Sequence, residues 1–575
     1  MMCGQMRKED IGKEITLNGW VQKERNLGPI IFIDLRDTTG ISQVVFRKEN
    51  DEDVFKEAEK LRSEFVVAVR GIVEERESKN PNIETGDVEL NVKSIEILDE
   101  ANTPPIYIKD DDNASEQMRL KYRYLDLRKK SLQDNLKLRA RTAAVIRDFL
   151  NSENFIEVET PVLTNPTPEG ARDYLVPSRV NKNSFYALPQ SPQQLKQMLM
   201  VAGMDRYYQI VKCFRDEDLR ANRQPEFTQV DIEMSFVDIE DIIAINERLI
   251  QRIFKEIKGI DLKLPLPRMS YNDAMSRFGV DKPDLRFAIE LKDLNEVFKD
   301  VDFDLFKDKT IKGIAVGESE KEFSRKHIDK LTSFVKEHGA NGLFWIRIKN
   351  NEISSSIKKF LTEEHIDKLK EIFDLKDNAL IFIVADKKEV TETSLGALRN
   401  EVAESLGLRD KNKYALTWIV DFPMFEYSEE DGRYVSKHHP FTHPVDEDIK
   451  FLETDPEKVR AYAYDIVING DELGGGSIRI NNSELQSKIF KALKLTDEEI
   501  ERKFGYFIEA LSYGTPPHGG IAFGFDRLIM LLAGTNNIKD VIAFPKTQSA
   551  TCLLTGAPSK VTDDQLEELH IKNVF

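Results

Sequence analysis

The stretch CFRDEDLRANRQPEF, residues 213–227, sets Arg215, Arg220 and Arg223 among Asp216, Glu217, Asp218 and Glu226. An arginine fork keeps its charge and matches phosphate oxygens in pairs. Such a loop either faces water, as charge runs usually do, or grips an anionic ligand. The flanks bear on the choice. DRYYQIVKCFR before it reads as a strand. After it, Val230, Ile232, Met234 and Phe236 alternate with Gln229, Asp231, Glu233 and Ser235. A strand with carboxylates and an amide on one face either turns that face to solvent or lines a pocket with it.

Three other clusters favour a pocket. LPQSPQQLKQ offers Ser191, Gln193 and Lys196, with Gln193 within a turn of Lys196 if the segment is helical. NGDELGGGSIRI joins Asp465, Glu472 and Arg479 to a run of glycines that permits close backbone approach. In GTPPHGGIAFGFDRL, Arg527 opens a helix after a glycine-rich strand. Neither glycine run fits a phosphate-loop or dinucleotide pattern, so phosphate bound here must be held by the arginines.

The elements that position these residues are legible in outline. Residues 1–103 read as three strands, a helix and two strands, the pattern of a small OB-type barrel. With Ile31, Ile33 and Leu35 inside, Phe32 and Asp34 point out, and Phe32 is either a base-stacking platform or an ordinary surface aromatic. ANTPPIYIKDDDNAS reads as a linker. A helix is expected over about 131–152, with Leu136, Ala140, Ala143 and Leu150 as its stripe. FIEVETPVL alternates like a strand and stops at Pro161. Residues 288–411 read as an α+β module without clustered His, Cys or Gly, and strands and helices resume from 412.

With 575 residues, three or four domains are expected; 40% hydrophobic and 32% charged residues fit a soluble globular chain. No apolar run approaches a membrane span, and charges stand where a signal peptide needs its apolar region, so a cytoplasmic protein is expected. Cys3, Cys213 and Cys552 lack metal spacing and read as reduced thiols. A net charge of −18 argues against a protein that coats nucleic acid indiscriminately, yet residues 119–148 hold ten Lys/Arg against three Asp.

Together these segments resemble the bacterial-type aspartyl-tRNA synthetases, class II enzymes. Motif 1 is the long helix plus FIEVETPVL, motif 2 is FRDEDLRANRQPEFTQVDIE, and motif 3 is GIAFGFDRL. The aspartate-type segments ALPQSPQQLKQ, TPEGARDYLVPSRV, KHHPFTHP and GGGSIRI accompany them. The resemblance runs from LNGWVQKERNLG to DVIAFPKT. It implies an α+β multidomain protein. An OB-fold anticodon-binding barrel would cover 1–103, a hinge 104–130 and an antiparallel-sheet catalytic domain 131–287. An inserted GAD-type α+β domain would cover 288–411, and the rest of the catalytic domain with a C-terminal extension 412–575.

The resemblance also implies roles. Arg215 and Arg527 are the catalytic arginines, on the α- and γ-phosphates. Asp216, Glu217, Gln224, Phe227, Glu472, Gly524, Phe525 and Asp526 complete the ATP site, and Asp465 and Glu472 hold Mg²⁺. L-aspartate is bound by Glu169, Ser191, Gln193, Lys196, Arg215, Gln229, Asp231, His438, His439 and Arg479. Asp231 and Gln193 would meet its ammonium, and Lys196 and Arg479 its side-chain carboxylate. A neutral asparagine amide would then leave both cations unpaired. Arg25, Phe32 and Gln43 match anticodon-reading positions. The implied partners are tRNA-Asp, rather than DNA or a membrane, and a second copy of the chain through motif 1. Leu27 stands where relatives that misacylate often carry histidine, so a tRNA-Asp-specific enzyme is expected. His443 is expected to be a surface residue, and Arg220, Arg223 and Glu226 either solvated or on tRNA phosphates.

The alternatives are an asparaginyl or lysyl enzyme of the same class, and a non-catalytic nucleic-acid-binding paralogue. QSPQQLKQ, GGGSIRI and the insertion argue against the first. The intact Arg215, Glu217 and Arg527 argue against the second.

Overall fold

The computed structural model describes residues 1–166, 170–219, 223–350, 352–376, 378–429 and 432–574, apart from the side chain of Glu320. Glu169 and Arg220 fall outside the described residues. The chain forms two compact units, Met1–Arg139 with Lys539–Lys560, and Ala140–Ile538 with Val561–Phe575.

In the first unit, Glu14–Asn26, Ile30–Asp37, Gly40–Arg47, Val88–Asp99 and Val66–Glu75 close into a barrel in that order. The two-residue period puts Ile31, Ile33 and Leu35 in the core, each 0% exposed, and leaves Phe32 and Asp34 partly exposed on the outer face. The helix Glu52–Glu59 starts where the Asp51 carboxylate accepts from the Asp53 and Val54 amides, and it buries Phe55 and Ala58 against the barrel core. Residues 539–560 join this unit through Arg123, which donates to the carbonyls of Lys539, Ile542 and Ala543 at 2.7, 2.9 and 2.9 Å.

The second unit is built on an eight-stranded sheet. Its order is Arg268–Ser270, Leu416–Pro423, Arg460–Ile468, Asp471–Ile478, His518–Gly524, Glu226–Ser235, Arg206–Phe214 and Ile156–Glu157. The six central strands pair antiparallel and the two edge strands parallel. The amphipathic helix Ile239–Lys258 is capped by Asp238 at its start and by Gly259, at φ 70°, at its end.

A second sheet in this unit has the order Lys292–Asp293, Thr310–Val316, Asn378–Asp386, Phe344–Lys349 and Glu352–Ser355. Its central strand is apolar on both faces. Leu380, Phe382 and Val384 pack with helices Arg325–Glu337 and Lys388–Ser405, while Ile381 and Ile383 pack with helices Asn295–Phe298 and Glu363–Ile372. A strand covered on both sides has no polar face, which is why NALIFIVAD does not alternate.

Several expectations need correction. FIEVETPVL is a strand only at Ile156–Glu157, because pairing with Tyr207 and Tyr208 ends there; Val162 and Leu163 are 47% and 53% exposed. Along the helix Lys130–Ser152, Thr142, Val145, Ile146, Phe149 and Leu150 are buried, while Ala140 is exposed and Leu136 and Ala143 are only half-buried. Two apolar stripes run along that helix, and the residue period alone does not say which one meets the core. Phe236 leaves the apolar face of its strand at φ 57° and is 73% exposed. His443 is half-buried, with Nδ1 2.6 Å from the Pro444 carbonyl.

Candidate active site

The polar face of Glu226–Ser235 is buried rather than solvated. Asp231 and Glu233 are each 0% exposed. Adjacent strands supply the approach. In register, Asp231 faces Ala522 and Glu233 faces Gly520, and a Cβ on Gly520 would overlap the Glu233 carboxylate. The glycine therefore makes room for the carboxylate.

Two cations complete this cluster. Lys196 projects from the helix Gln193–Val201 and is 1% exposed, and Arg479, just past the strand Asp471–Ile478, is 2% exposed. Lys196 Nζ lies 2.9 Å from Asp231 Oδ1 and 3.4 Å from Glu233 Oε2. Arg479 donates from Nε to Glu233 Oε1 at 2.9 Å and from Nη1 to both Ser477 Oγ at 2.7 Å and His439 Nε2 at 2.6 Å. Glu233 thus joins both cations, and sequence reading placed it on the right face without giving it a role. The signal that could have found it was the surplus of two buried-type cations over one assigned acid. Its presence also corrects the view that a neutral ligand would leave Lys196 and Arg479 unpaired, since both already have carboxylate partners.

Electrostatics separates the two acids. Burial pushes the Asp231 carboxyl above its ordinary 3.8, and Lys196 only partly offsets this. Burial also acts to raise Glu233, but Arg479 and Lys196 together outweigh it and hold that carboxyl below 4.5. Burial first, and then the Arg479 charge, keep His439 neutral at physiological pH. Asp231 Oδ2 and Gln193 Nε2 are buried without a partner. Ser191 Oγ accepts from the Gln193 amide at 3.2 Å and so shapes the start of that helix.

A cavity of about 240 Å³ adjoins this cluster, lined by Arg215, Glu217, Gln224, Phe227, Gln229, Glu472, Gly524, Asp526 and Arg527 among others. The Arg215 guanidinium lies 5.1 Å over the Phe227 ring, and Arg223 pairs with Glu217 at 2.9 Å. Arg215 Nε and Arg527 Nε are buried without a partner. Arg527 sits in the first turn of the helix Phe525–Ala533 and donates to the Glu472 carbonyl. Asp526 accepts from the Thr228 amide at 2.7 Å, which ties that helix to the Glu226–Ser235 strand. Phe525 is buried at 2% and Asp216, bridged to Arg172, lies off the cavity wall.

Asp465 and Glu472 stand on neighbouring strands, in register with Gly475 and Val467, and their carboxylates converge over Gly475. A Cβ on Gly475 would lie 2.5 Å from Asp465 Oδ1 and 3.6 Å from Glu472 Oε1. Asp465 Oδ1 is buried without a hydrogen-bond partner, with His438 Nε2 3.7 Å away. The Asp465 charge, followed by burial, raises the Glu472 carboxyl above 4.5. Two hard oxygen donors that repel each other beside the arginine-lined cleft fit a divalent cation. Among the described residues no three His, Cys, Asp or Glu side chains converge to hold a metal unaided.

In the first unit, Arg25 lies 5.7 Å over Phe32, and Gln43 Oε1 accepts from Arg25 and Arg76, each at 2.8 Å. Gln43 Nε2 donates to Glu89 at 2.6 Å, and Gln43 is 4% exposed. These charged partners orient the Gln43 amide on the barrel wall.

Comparison with known proteins agrees with this geometry. The family described as tRNA synthetases class II (D, K and N) matches residues 115–548, and an OB-fold nucleic acid binding domain matches 15–98. The aspartate–tRNA ligase of Clostridium tetani (strain Massachusetts / E88) is 56% identical over 578 residues, covering 100% of this chain and 98% of its own length. That of Clostridium botulinum (strain Langeland / NCTC 10281 / Type F) is 55% identical at the same coverage. The crystal structure of asparaginyl-tRNA synthetase from Pyrococcus horikoshii complexed with asparaginyl-adenylate shares the fold. Its TM-score is 0.59 at 20% identity, over 95% of this chain and 98% of that one. Among the described residues no helix is long and apolar enough to cross a membrane. The chain belongs to the class II tRNA synthetases of the D, K and N group.

Proposed function

We propose that the protein is an aspartate–tRNA ligase that activates L-aspartate with ATP and transfers it to tRNA-Asp in the cytoplasm. The observation that carries this reading is the buried Lys196–Asp231–Glu233–Arg479 cluster, whose two acids stand on the same strand as Phe227, Thr228 and Gln229 of the Arg215–Arg527 cleft.

The chemistry follows from charge. The substrate ammonium takes the free oxygen of Asp231 and supplies the positive charge that this carboxylate lacks. Lys196, loosened from Asp231, turns to the substrate's side-chain carboxylate together with Arg479, while Glu233 keeps the guanidinium in place. Asparagine offers the ammonium but no carboxylate, so Lys196 and Arg479 would have to share Glu233 with no added negative charge, an imbalance of several kcal/mol in a buried site. Arg215 holds the α-phosphate and Arg527 the γ-phosphate, with Phe227 against the adenine. The substrate α-carboxylate attacks the α-phosphorus and pyrophosphate leaves, a step driven by positioning and charge neutralisation. Mg²⁺ held by Asp465 and Glu472 would supply further neutralisation of the phosphates. The terminal ribose hydroxyl of tRNA then displaces AMP.

The earlier domain division is retained as part of this proposal. It is supported by a barrel confined to 14–99 and a separate sheet within 292–386. Arg25, Phe32 and Gln43 read the anticodon, and Leu27, 68% exposed at its hairpin tip, fits an enzyme restricted to tRNA-Asp. Exposed Ile156, Val162 and Leu163 on the motif 1 segment support a homodimer. Pyrophosphate exchange that depends on L-aspartate, with charging of tRNA-Asp, tests the assignment. Strong exchange with asparagine or lysine would overturn it, and light scattering checks the dimer.

A further inference from the structure

His518 is a buried titratable side chain, 0% exposed, to which the chemistry of activation gives no part. It opens the strand His518–Gly524 and pairs in register with Ser235, next to the Gly520–Glu233 and Ala522–Asp231 pairs on the same face of the sheet. Ala522 and Gly520 are small and admit the two carboxylates. His518 is the first large side chain of that row.

The residue is joined to both elements that carry the cations. Its main-chain carbonyl accepts from the Arg479 amide at 2.9 Å. Its ring folds back so that Nδ1 lies 2.9 Å from the Pro516 carbonyl oxygen, which aims Nε2 at Gln197 Oε1, 3.2 Å away. Gln197 is 0% exposed, directly follows Lys196 on the helix Gln193–Val201, and donates from Nε2 to the Gln193 carbonyl at 3.4 Å. A side-chain amide can meet either form of a ring nitrogen, with its oxygen where the ring donates and its nitrogen where the ring accepts. Ser235 Oγ adds a bond to Met200 Sδ at 3.1 Å about one turn further along the helix, but a thioether is a weak acceptor.

These ties set a distance. Lys196 Nζ and Arg479 Nη2 converge on one atom, Glu233 Oε2, at 3.4 and 3.3 Å. A substrate carboxylate that accepts from both cations needs them at one spacing, and a shift of the helix against the strands would move Lys196 while Arg479 stayed with the sheet. We propose that His518 is a positioning residue for selection of the amino-acid side chain: its ring, through Gln197, holds the Lys196 helix at the spacing from Arg479 that one carboxylate can bridge. It acts through Lys196 rather than on aspartate or ATP. The inference rests on the ligase reading and deepens it.

The test is pyrophosphate exchange by the full chain, unmodified and as His518→Asn, His518→Gln and Gln197→Met. An asparagine amide reaches the place of Nδ1 but not that of Nε2, whereas glutamine reaches Nε2. His518→Asn should raise the KM for aspartate about ten-fold, the loss of one buried hydrogen bond that leaves Gln197 without its partner, with the KM for ATP unchanged. The ratio of exchange with aspartate to exchange with asparagine, which does not depend on how much of the protein is folded, should fall by a similar factor. His518→Gln should recover most of both. Gln197→Met, which removes the contact from the helix side, should show the same split, and combining it with His518→Asn should add little, because the two share one contact. If the ring is only a folding strut, KM values for aspartate and ATP will move together or not at all and the ratio will hold, and the inference is overturned while the ligase reading stands. Failure of both His518→Asn and Gln197→Met to fold would overturn it in the same way. Absence of aspartate-dependent exchange in the unmodified protein would overturn the ligase reading and this inference with it.

Discussion

Glu233 holds Arg479 with both oxygens, Oε1 to Nε at 2.9 Å and Oε2 to the terminal Nη2 at 3.3 Å, in a site where neither side chain reaches solvent. The geometry fixes the plane of the guanidinium, and Ser477 and His439 take its Nη1 edge at 2.7 and 2.6 Å. Removing one partner of such a pair strands the other charge, at a cost of about 3–5 kcal/mol. Glu233→Gln should therefore raise the KM for aspartate by roughly ten-fold or more while the KM for ATP changes little. Exchange kinetics with each substrate varied in turn checks this, and an equal rise in both KM values would count against it.

The same pair sets a pH dependence of stability. The folded Glu233 carboxyl lies below its ordinary 4.5 because Arg479 and Lys196 outweigh burial. A depressed acid contributes stability that is present above its unfolded pKa and is lost as pH falls through the folded value. Asp231, raised above 3.8, acts in the opposite sense and disfavours the folded state at neutral pH. Urea unfolding between pH 7 and pH 3 should show the acid-side loss reduced in Glu233→Gln. Asp231→Asn should melt no lower than the unmodified protein although it no longer activates aspartate.

Arg479→Leu should abolish most aspartate activation and leave ATP binding nearly intact, since Arg479 lies off the wall of the Arg215–Arg527 cleft. Calorimetric titration with ATP, alongside exchange, separates the two. Loss of ATP binding in a folded variant would place Arg479 in the nucleotide site instead.

Replacing 288–411 with a short linker should leave exchange measurable, because the catalytic arginines and the Lys196 cluster lie outside that stretch. The hydrogen bonds from Arg399 to the carbonyls of Ile289, Asp284 and Phe287 are lost in this variant. A folded deletion variant without any exchange would make the insertion part of the catalytic site.

Phe32→Ala should weaken tRNA charging by roughly ten-fold, the worth of one base stack, and leave exchange and the melting temperature alone, since the ring is partly exposed on the barrel. Gln43→Ala should also weaken charging but lower the melting temperature, because it leaves Arg76 and Glu89 without their shared partner. Unchanged charging in both folded variants would mean that the anticodon is not read here.

The sequence by itself determined the elements and most of the site. The period-two faces of 31–35 and 229–235, the helix after Pro192 and the strand–helix turn at Arg527 follow from local patterning, which side-chain direction on a strand or helix makes reliable. Tertiary structure decided what the pattern left symmetric. Whether the Asp231–Glu233 face met water or a pocket depended on Gly520 and Arg479, respectively 287 residues beyond Glu233 and 246 residues beyond it in the chain. Which stripe of the helix Lys130–Ser152 is buried, where FIEVETPVL stops pairing, and that Arg399 grips residues 284–289 were likewise settled by distant partners. Local sequence fixes which way a side chain points, but burial, charge pairing and close backbone approach exist only between segments that folding brings together.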